Sequence, residues 1–208
     1  NLLNTTMKKV LLAAALMITS AAAFAQHEVG SFNLQPKVGM NVAMLTNYEK
    51  DGTSDPRIGF AGGLEGEYQA TDIFSVSAGV LYSMQGAKKE VKALNTTYTA
   101  TTKVDYINIP IMANVYVVKG LAVKAGIQPG FKVSSSVKQS LDTPIGGASG
   151  STDLKAKSFD FSIPVGISYE YANVQLDARY NFGVTKVFEN SDIKNSVFQL
   201  TLGYKFDL

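Results

Sequence analysis

The chain has 208 residues, of which 46% are hydrophobic and 17% charged, with a formal net charge of +2 and no cysteine. Charge this balanced gives no electrostatic ground for nucleic-acid binding or for a basic patch on an acidic membrane. Without cysteine, disulfides and thiolate metal sites are excluded, so the fold must rest on burial and hydrogen bonding.

The first 25 residues read as something other than fold. Asn1 to Thr6 precede Met7 and look like upstream sequence. Met7 is followed by Lys8 and Lys9, an apolar run from Val10 to Ile18, and small residues ending in Ala23-Phe24-Ala25. That is the three-part plan of a secretory signal peptide, and the run is too short for a membrane helix. The expected organisation is therefore 1–25 as upstream residues plus signal peptide (Met7–Ala25), and 26–208 as one exported domain.

From there on the chain alternates with period two. The first strand sets Phe32, Leu34, Pro36, Val38, Met40, Val42 and Met44 against Asn33, Gln35, Lys37, Gly39 and Asn41. The second sets Ile58, Phe60, Leu64 and Tyr68 against Arg57, Glu65, Glu67 and Gln69, and the third Phe74 to Met84 against serines, Gly79 and Gln85. A fourth runs through Tyr106–Val117, a fifth through Leu121–Val133, a sixth through Phe159–Tyr171 and a seventh through Val174–Val184. The eighth ends the sequence: Phe198, Leu200, Leu202, Tyr204, Phe206 and Leu208 alternate with Gln199, Thr201, Gly203, Lys205 and Asp207.

The connections alternate too. Ala70-Thr71-Asp72, Val118-Lys119-Gly120 and Ala172-Asn173 are tight, whereas Leu45–Asp55, Ala87–Lys103, Ser134–Lys157 and Thr185–Asn195 read as long loops. Short turns at one end and long loops at the other match a transmembrane barrel. An eight-stranded cylinder is also too narrow to hold one large apolar residue at every second position, so the apolar face must point outward into lipid. Aromatics gather near strand ends, with Phe32, Tyr68, Phe74, Tyr169, Tyr171, Tyr204 and Phe206 at the turn end and Tyr82, Phe159, Phe188 and Phe198 at the loop end, as interfacial girdles do. The expected fold is all-β: an eight-stranded antiparallel up-and-down transmembrane β-barrel.

The pieces Tyr106-Ile107-Asn108-Ile109-Pro110, Asp160-Phe161-Ser162-Ile163-Pro164-Val165-Gly166 and Leu176-Asp177-Ala178-Arg179-Tyr180-Asn181-Phe182-Gly183 resemble recurring motifs of the PorT-like outer-membrane beta-barrel family. The resemblance covers about Phe32 to Leu208. It implies a small barrel in the bacterial outer membrane and no particular activity, although some relatives serve protein secretion.

For chemistry, the sequence offers one histidine, His27, expected to be a solvated residue outside the barrel. Neither a serine–histidine pair nor a metal cluster assembles around a lone, peripheral imidazole, so an enzyme is the weaker class and no cofactor is expected. The inward face carries more. With periplasmic termini, Lys37, Glu65, Glu67, Lys124, Glu170, Asp177, Arg179 and Lys205 all face the lower lumen, where buried charges persist only when paired. A salt-bridged plug is the structural reading of this set and an ion path the functional one. Arg179 is expected to reach Asp177 and Glu170. Tyr204, Phe206 and Leu208 read as the assembly signal recognised by the barrel assembly machinery. Expected partners are thus outer-membrane lipid, that machinery, and a protein or surface ligand on the loops, with no nucleic acid. A secretion assembly or a narrow channel is the alternative. Pro110, Pro129 and Pro164 require bulges or ladder gaps.

Overall fold

A computed structural model describes residues 27–49, 52–53, 55–93, 96–143, 146–153, 155–189 and 191–208. The expected signal peptide lies outside the described residues. Period-two alternation puts every second side chain on one face, so a chain with eight such stretches must bend its sheet until the polar faces meet. The strands are Phe32–Glu49, Arg57–Thr71, Phe74–Ala93, a fourth in two pieces (Thr96–Asn108 and Ile111–Val118), Leu121–Thr143, Phe159–Tyr171, Val174–Lys186 and Lys194–Tyr204. A two-residue piece, Phe206–Asp207, continues the last of these, and Gly52–Thr53 and Gly146–Asp153 flank the first and fifth. Each strand pairs antiparallel with the next. The ring closes because the first strand also pairs with the eighth, from Lys37↔Gly203 to Thr46↔Lys194. The fold is an eight-stranded antiparallel up-and-down barrel.

The outer surface carries the apolar half of the alternation. Val38, Ile58, Leu64, Val80, Ile127, Ile167, Leu176 and Leu202 are all exposed, with Phe32, Tyr68, Tyr169, Tyr171, Tyr204 and Phe206 at the short-turn end. The interior is polar, with buried asparagines, glutamines and serines on almost every strand. This is an inverted arrangement relative to a water-soluble core, and it is stable only with hydrocarbon outside.

Three expectations need correction. The segments expected as long loops at Ala87–Lys103 and Ser134–Lys157 are largely strand: the third strand runs to Ala93, the fourth starts at Thr96, and the fifth runs to Thr143 and pairs with Gly146–Asp153. Thr- and Ser-rich stretches lack the strict alternation of a two-environment strand because this sheet extends past the apolar belt. Phe188, expected in the outer girdle, packs instead against an interior apolar cluster of Leu45, Ala87, Val104, Tyr106, Ala156 and Val187 that fills the hairpin end of the lumen. The terminal strand, read as unbroken to Leu208, lapses at Lys205, and Asp207 lies exposed at the rim.

The prolines sit at lapses in the ladders. Pro110 falls between the two pieces of the fourth strand. Pro164 falls where the fifth–sixth pairing skips from Ala125↔Val165 to Gln128↔Ser162. Pro129 keeps its carbonyl in the ladder, accepting from Ile109 N at 2.8 Å.

Candidate site in the barrel lumen

Five charged side chains meet in the middle of the lumen. Lys37 comes from the first strand, Glu65 from the second, Lys124 from the fifth, and Asp177 and Arg179 from the seventh, all on inward positions of the alternation and each at most 2% exposed. Arg179 donates from Nε to Asp177 Oδ1 at 2.8 Å and from Nη2 to Asp177 Oδ2 at 2.7 Å, while the same Nη2 reaches Glu65 Oε2 at 2.8 Å. Lys37 Nζ donates to Glu65 Oε1 at 2.8 Å and Asp177 Oδ2 at 3.0 Å. Lys124 Nζ donates to Asp177 Oδ2 at 2.8 Å and Glu65 Oε1 at 3.3 Å. Both carboxylates are therefore shared among three cations, a network that spans the lumen.

Glycine makes the room. Lys37 stands opposite Gly63 on one side and Gly203 on the other, Glu65 opposite Gly79, and Gly166 lies between Lys124 and Arg179. A Cβ at Gly166 would come within 2.3 Å of the Ala178 carbonyl oxygen. Long side chains fold over these positions, which is how an eight-stranded lumen holds five of them at one level.

A second cluster lies toward the short-turn end. Lys205 Nζ is 2.8 Å from both Glu67 Oε2 and Glu170 Oε2, and it donates to Tyr116 Oη at 3.2 Å. Ser75 Oγ and the Tyr116 hydroxyl also bond Glu67. All eight charged residues singled out from the alternation thus lie inside the barrel, divided five and three. The expected pairing of Arg179 with Glu170 is not formed. Glu170 neighbours Gln175 by the short turn, one layer below, and Arg179 meets Glu65 of the second strand instead.

His27 also departs from its expected place. Its side chain is only 8% exposed, with Nε2 3.0 Å from Glu170 Oε1 and Nδ1 3.0 Å from Asp207 Oδ1. The segment carrying it is held under the barrel by Gly30 N donating to Gln69 O at 2.7 Å and Gln69 N donating to Ser31 O at 3.0 Å. The bond to Glu170 raises the His27 pKa above its ordinary value, against the opposing effect of burial. Tyr116, Ser75 and Asn114, inward by alternation, complete this lower cluster and were legible from their positions. His27 was not, since it precedes the first periodic residue.

Toward the hairpin end the polar contents become mostly amide and hydroxyl, with the Asp160 carboxylate held by Thr185 and Asn195. Asn41 Nδ2 donates to Ser83 Oγ at 2.9 Å, Gln128 Nε2 to Ser162 Oγ at 3.1 Å, and Asn195 Nδ2 to Asp160 Oδ1 at 3.1 Å. Beyond them sits the apolar cluster of Leu45, Val104, Tyr106 and Val187.

The sequence model of the outer membrane protein beta-barrel domain family matches residues 24–189. The chain belongs to this family. Its place is accordingly the bacterial outer membrane. No curated protein matches the sequence. Among solved structures, this family member is similar to the attachment invasion locus protein Ail of Yersinia pestis, at 13% identity over 86% of this chain and 100% of that one, with a TM-score of 0.49. It is also similar to Neisserial surface protein A, at 18% identity over 84% and 97% of the two chains, with a TM-score of 0.46.

Proposed function

We propose that the protein is a non-enzymatic outer-membrane barrel whose lumen is closed by its own ion-paired side chains and whose extended hairpin end serves a structural or partner-binding role. The observation that carries this is the five-residue network joining the first, second, fifth and seventh strands across the lumen. A conducting path needs charged groups left for the ion, whereas here each carboxylate of the network is shared by cations of the chain. Continuation of the third to fifth strands beyond the apolar belt supplies a platform outside the membrane, where a rigid scaffold presents binding groups.

In this reading residues 1–25 are removed on export, the termini and short turns lie in the periplasm, and the hairpins face outward. Tyr204, Phe206 and Leu208 are the terminal signal for the assembly machinery, consistent with their outward exposure on the closing strand. The motif pieces around Tyr106, Phe161 and Arg179 support a place in the PorT-like branch. Protein reconstituted into dye-loaded liposomes tests the closed lumen: ion flux no faster than through empty liposomes is expected, and flux that scales with protein would refute the plug.

A further inference from the structure

The sheet formed beyond the belt has two faces, and the one continuous with the lipid-facing surface carries mixed charge, Lys88, Lys103 and Lys138 beside Glu90, Asp105 and Asp153, around a pocket whose charged lining is lysine. Passing up the fourth and fifth strands, the outward pair Ile107↔Phe131 is followed, across a register shift, by Asp105↔Ser134, Lys103↔Ser136, Thr101↔Lys138 and Thr99↔Ser140. Neighbouring strands extend these rows: Lys88 flanks Thr101 and Glu90 flanks Thr99 on the third strand, while Asp153, Ser151 and Ser149 flank Ser136, Lys138 and Ser140. The result is a pocket of about 480 Å³ lined by Thr101, Lys103, Lys138, Ser140, Ser149 and Ser151, among others.

Its electrostatics are uneven. Lys103 and Lys138 are diagonal neighbours in the ladder and line the same pocket, so their positive charges repel. Like charges so placed across strands destabilise a sheet. Asp105, two residues from Lys103 on the same face of the strand, already accepts from Arg57 at 3.4 Å and Tyr82 at 3.1 Å. Glu90 is taken by Lys88 at 2.7 Å, and Asp153 is exposed at the outer edge of the sheet. The pocket's own lining thus sets two ammonium groups and several hydroxyl donors together with no carboxylate among them, a set that suits a tetrahedral oxyanion. Four residues of strand separate Lys103 from Ile107, a rise of about 13 Å along the strand, which sets the pocket just above the hydrocarbon edge. Lysine stems reach back toward such an interface.

We propose that this pocket binds the phosphate of an outer-leaflet glycolipid, holding the barrel's outward sheet to the membrane surface. The assignment to the outer leaflet rests on the outward orientation of the hairpins given above, whereas the phosphate site rests on the pocket alone. The test is native mass spectrometry of the folded barrel with lipid A as probe, beside fully dephosphorylated lipid A and inorganic phosphate as competitor. Lys103→Gln/Lys138→Gln is compared with Lys157→Gln/Lys186→Gln, a control with the same loss of charge in a different surface pocket. A shift of the heated band in gel electrophoresis establishes that each variant is folded.

The expected result is a lipid A adduct weakened about tenfold or more by dephosphorylation and by the first variant, and unchanged in the control. Equal adducts in both variants, indifference to the phosphates, or displacement by inorganic phosphate at the same concentration as lipid would each overturn the proposal. Ser149→Cys labelled with an impermeant maleimide on intact cells separates the two readings. Labelling without permeabilisation supports the outer-leaflet assignment, and labelling only after permeabilisation refutes the orientation while leaving the phosphate site judged by its own measurement.

Discussion

Arg179 and Glu65, far apart in sequence and carried by the seventh and second strands, meet across the lumen with Nη2 2.8 Å from Oε2. Both carboxylates of the network are buried and ion-paired, so removing the guanidinium leaves Glu65 and Asp177 with two lysines in place of three cations. Arg179→Ala should lower stability by something on the order of 3 kcal/mol or more. Thermal unfolding of the purified barrel, followed by band shift, checks it. An unchanged melting temperature would mean that the network contributes no net stability.

Arg179→Lys should recover only part of that loss. A single ammonium cannot reproduce the paired donation from Nε and Nη2 to Asp177 together with the reach to Glu65. Full recovery in the same melt would show that charge alone matters.

Gly166 faces the lumen between Lys124 and Arg179, where a Cβ meets backbone rather than a yielding side chain. Gly166→Val should therefore reduce the folded fraction, at a cost of about 1–3 kcal/mol or more from forced displacement of the seventh strand. Gly150, whose Cβ position is open, is the matched control: Gly150→Val should fold as the parent does. Equal folded fractions for the two variants would contradict the steric account.

His27 supplies a pH dependence. The bond to Glu170 and the charge of Asp207 favour the imidazolium, while burial and Lys205 oppose it, and the pKa lies above the ordinary 6.5. A group with a raised folded-state pKa stabilises the fold fully below its unfolded pKa, and that stabilisation is lost as pH rises through the folded value. Melting temperatures of the parent and of His27→Gln, measured from about pH 5 to about pH 9, should be separated at acid pH and converge at alkaline pH. A gap that widens toward alkaline pH would reverse the sign of the linkage.

The periodic part of the molecule was legible because its two environments differ so sharply. Between Gln35 and Arg179, polarity alternates with hydrocarbon on one side and a polar lumen on the other, and the faces follow from counting by two. What lay outside that contrast did not show. Beyond Thr102 the hairpin extensions bury neither face, so Thr97–Thr101 carries no alternation to read. Arg179's true partner depends on the stagger of strands around the ring, which places Glu65 at its level and Glu170 below, and no spacing within the sequence encodes that offset. His27 and Phe188 lie on segments that fold back into the two ends of the barrel, and a segment without period gives no sign of which way it turns.

Closure of the ring should depend on the outward side of the last strand. Tyr204 and Phe206 pack ring against ring at 4.7 Å on the lipid side, whereas Asp207 is half exposed at the rim. Phe206→Ala should lower the amount of folded barrel recovered from membranes, and Asp207→Ala should lower it less. Equal recovery would remove Phe206 from the assembly signal.

The closed lumen is the central claim, and single-channel recording in planar bilayers tests it most directly. Purified barrel should give no discrete openings above the bare-membrane baseline, because the proposed plug sets the ion pairs and the apolar cluster around Leu45 and Val187 across the lumen. Steady, reproducible openings from the parent protein would contradict the plug and make the buried charges the lining of an ion path.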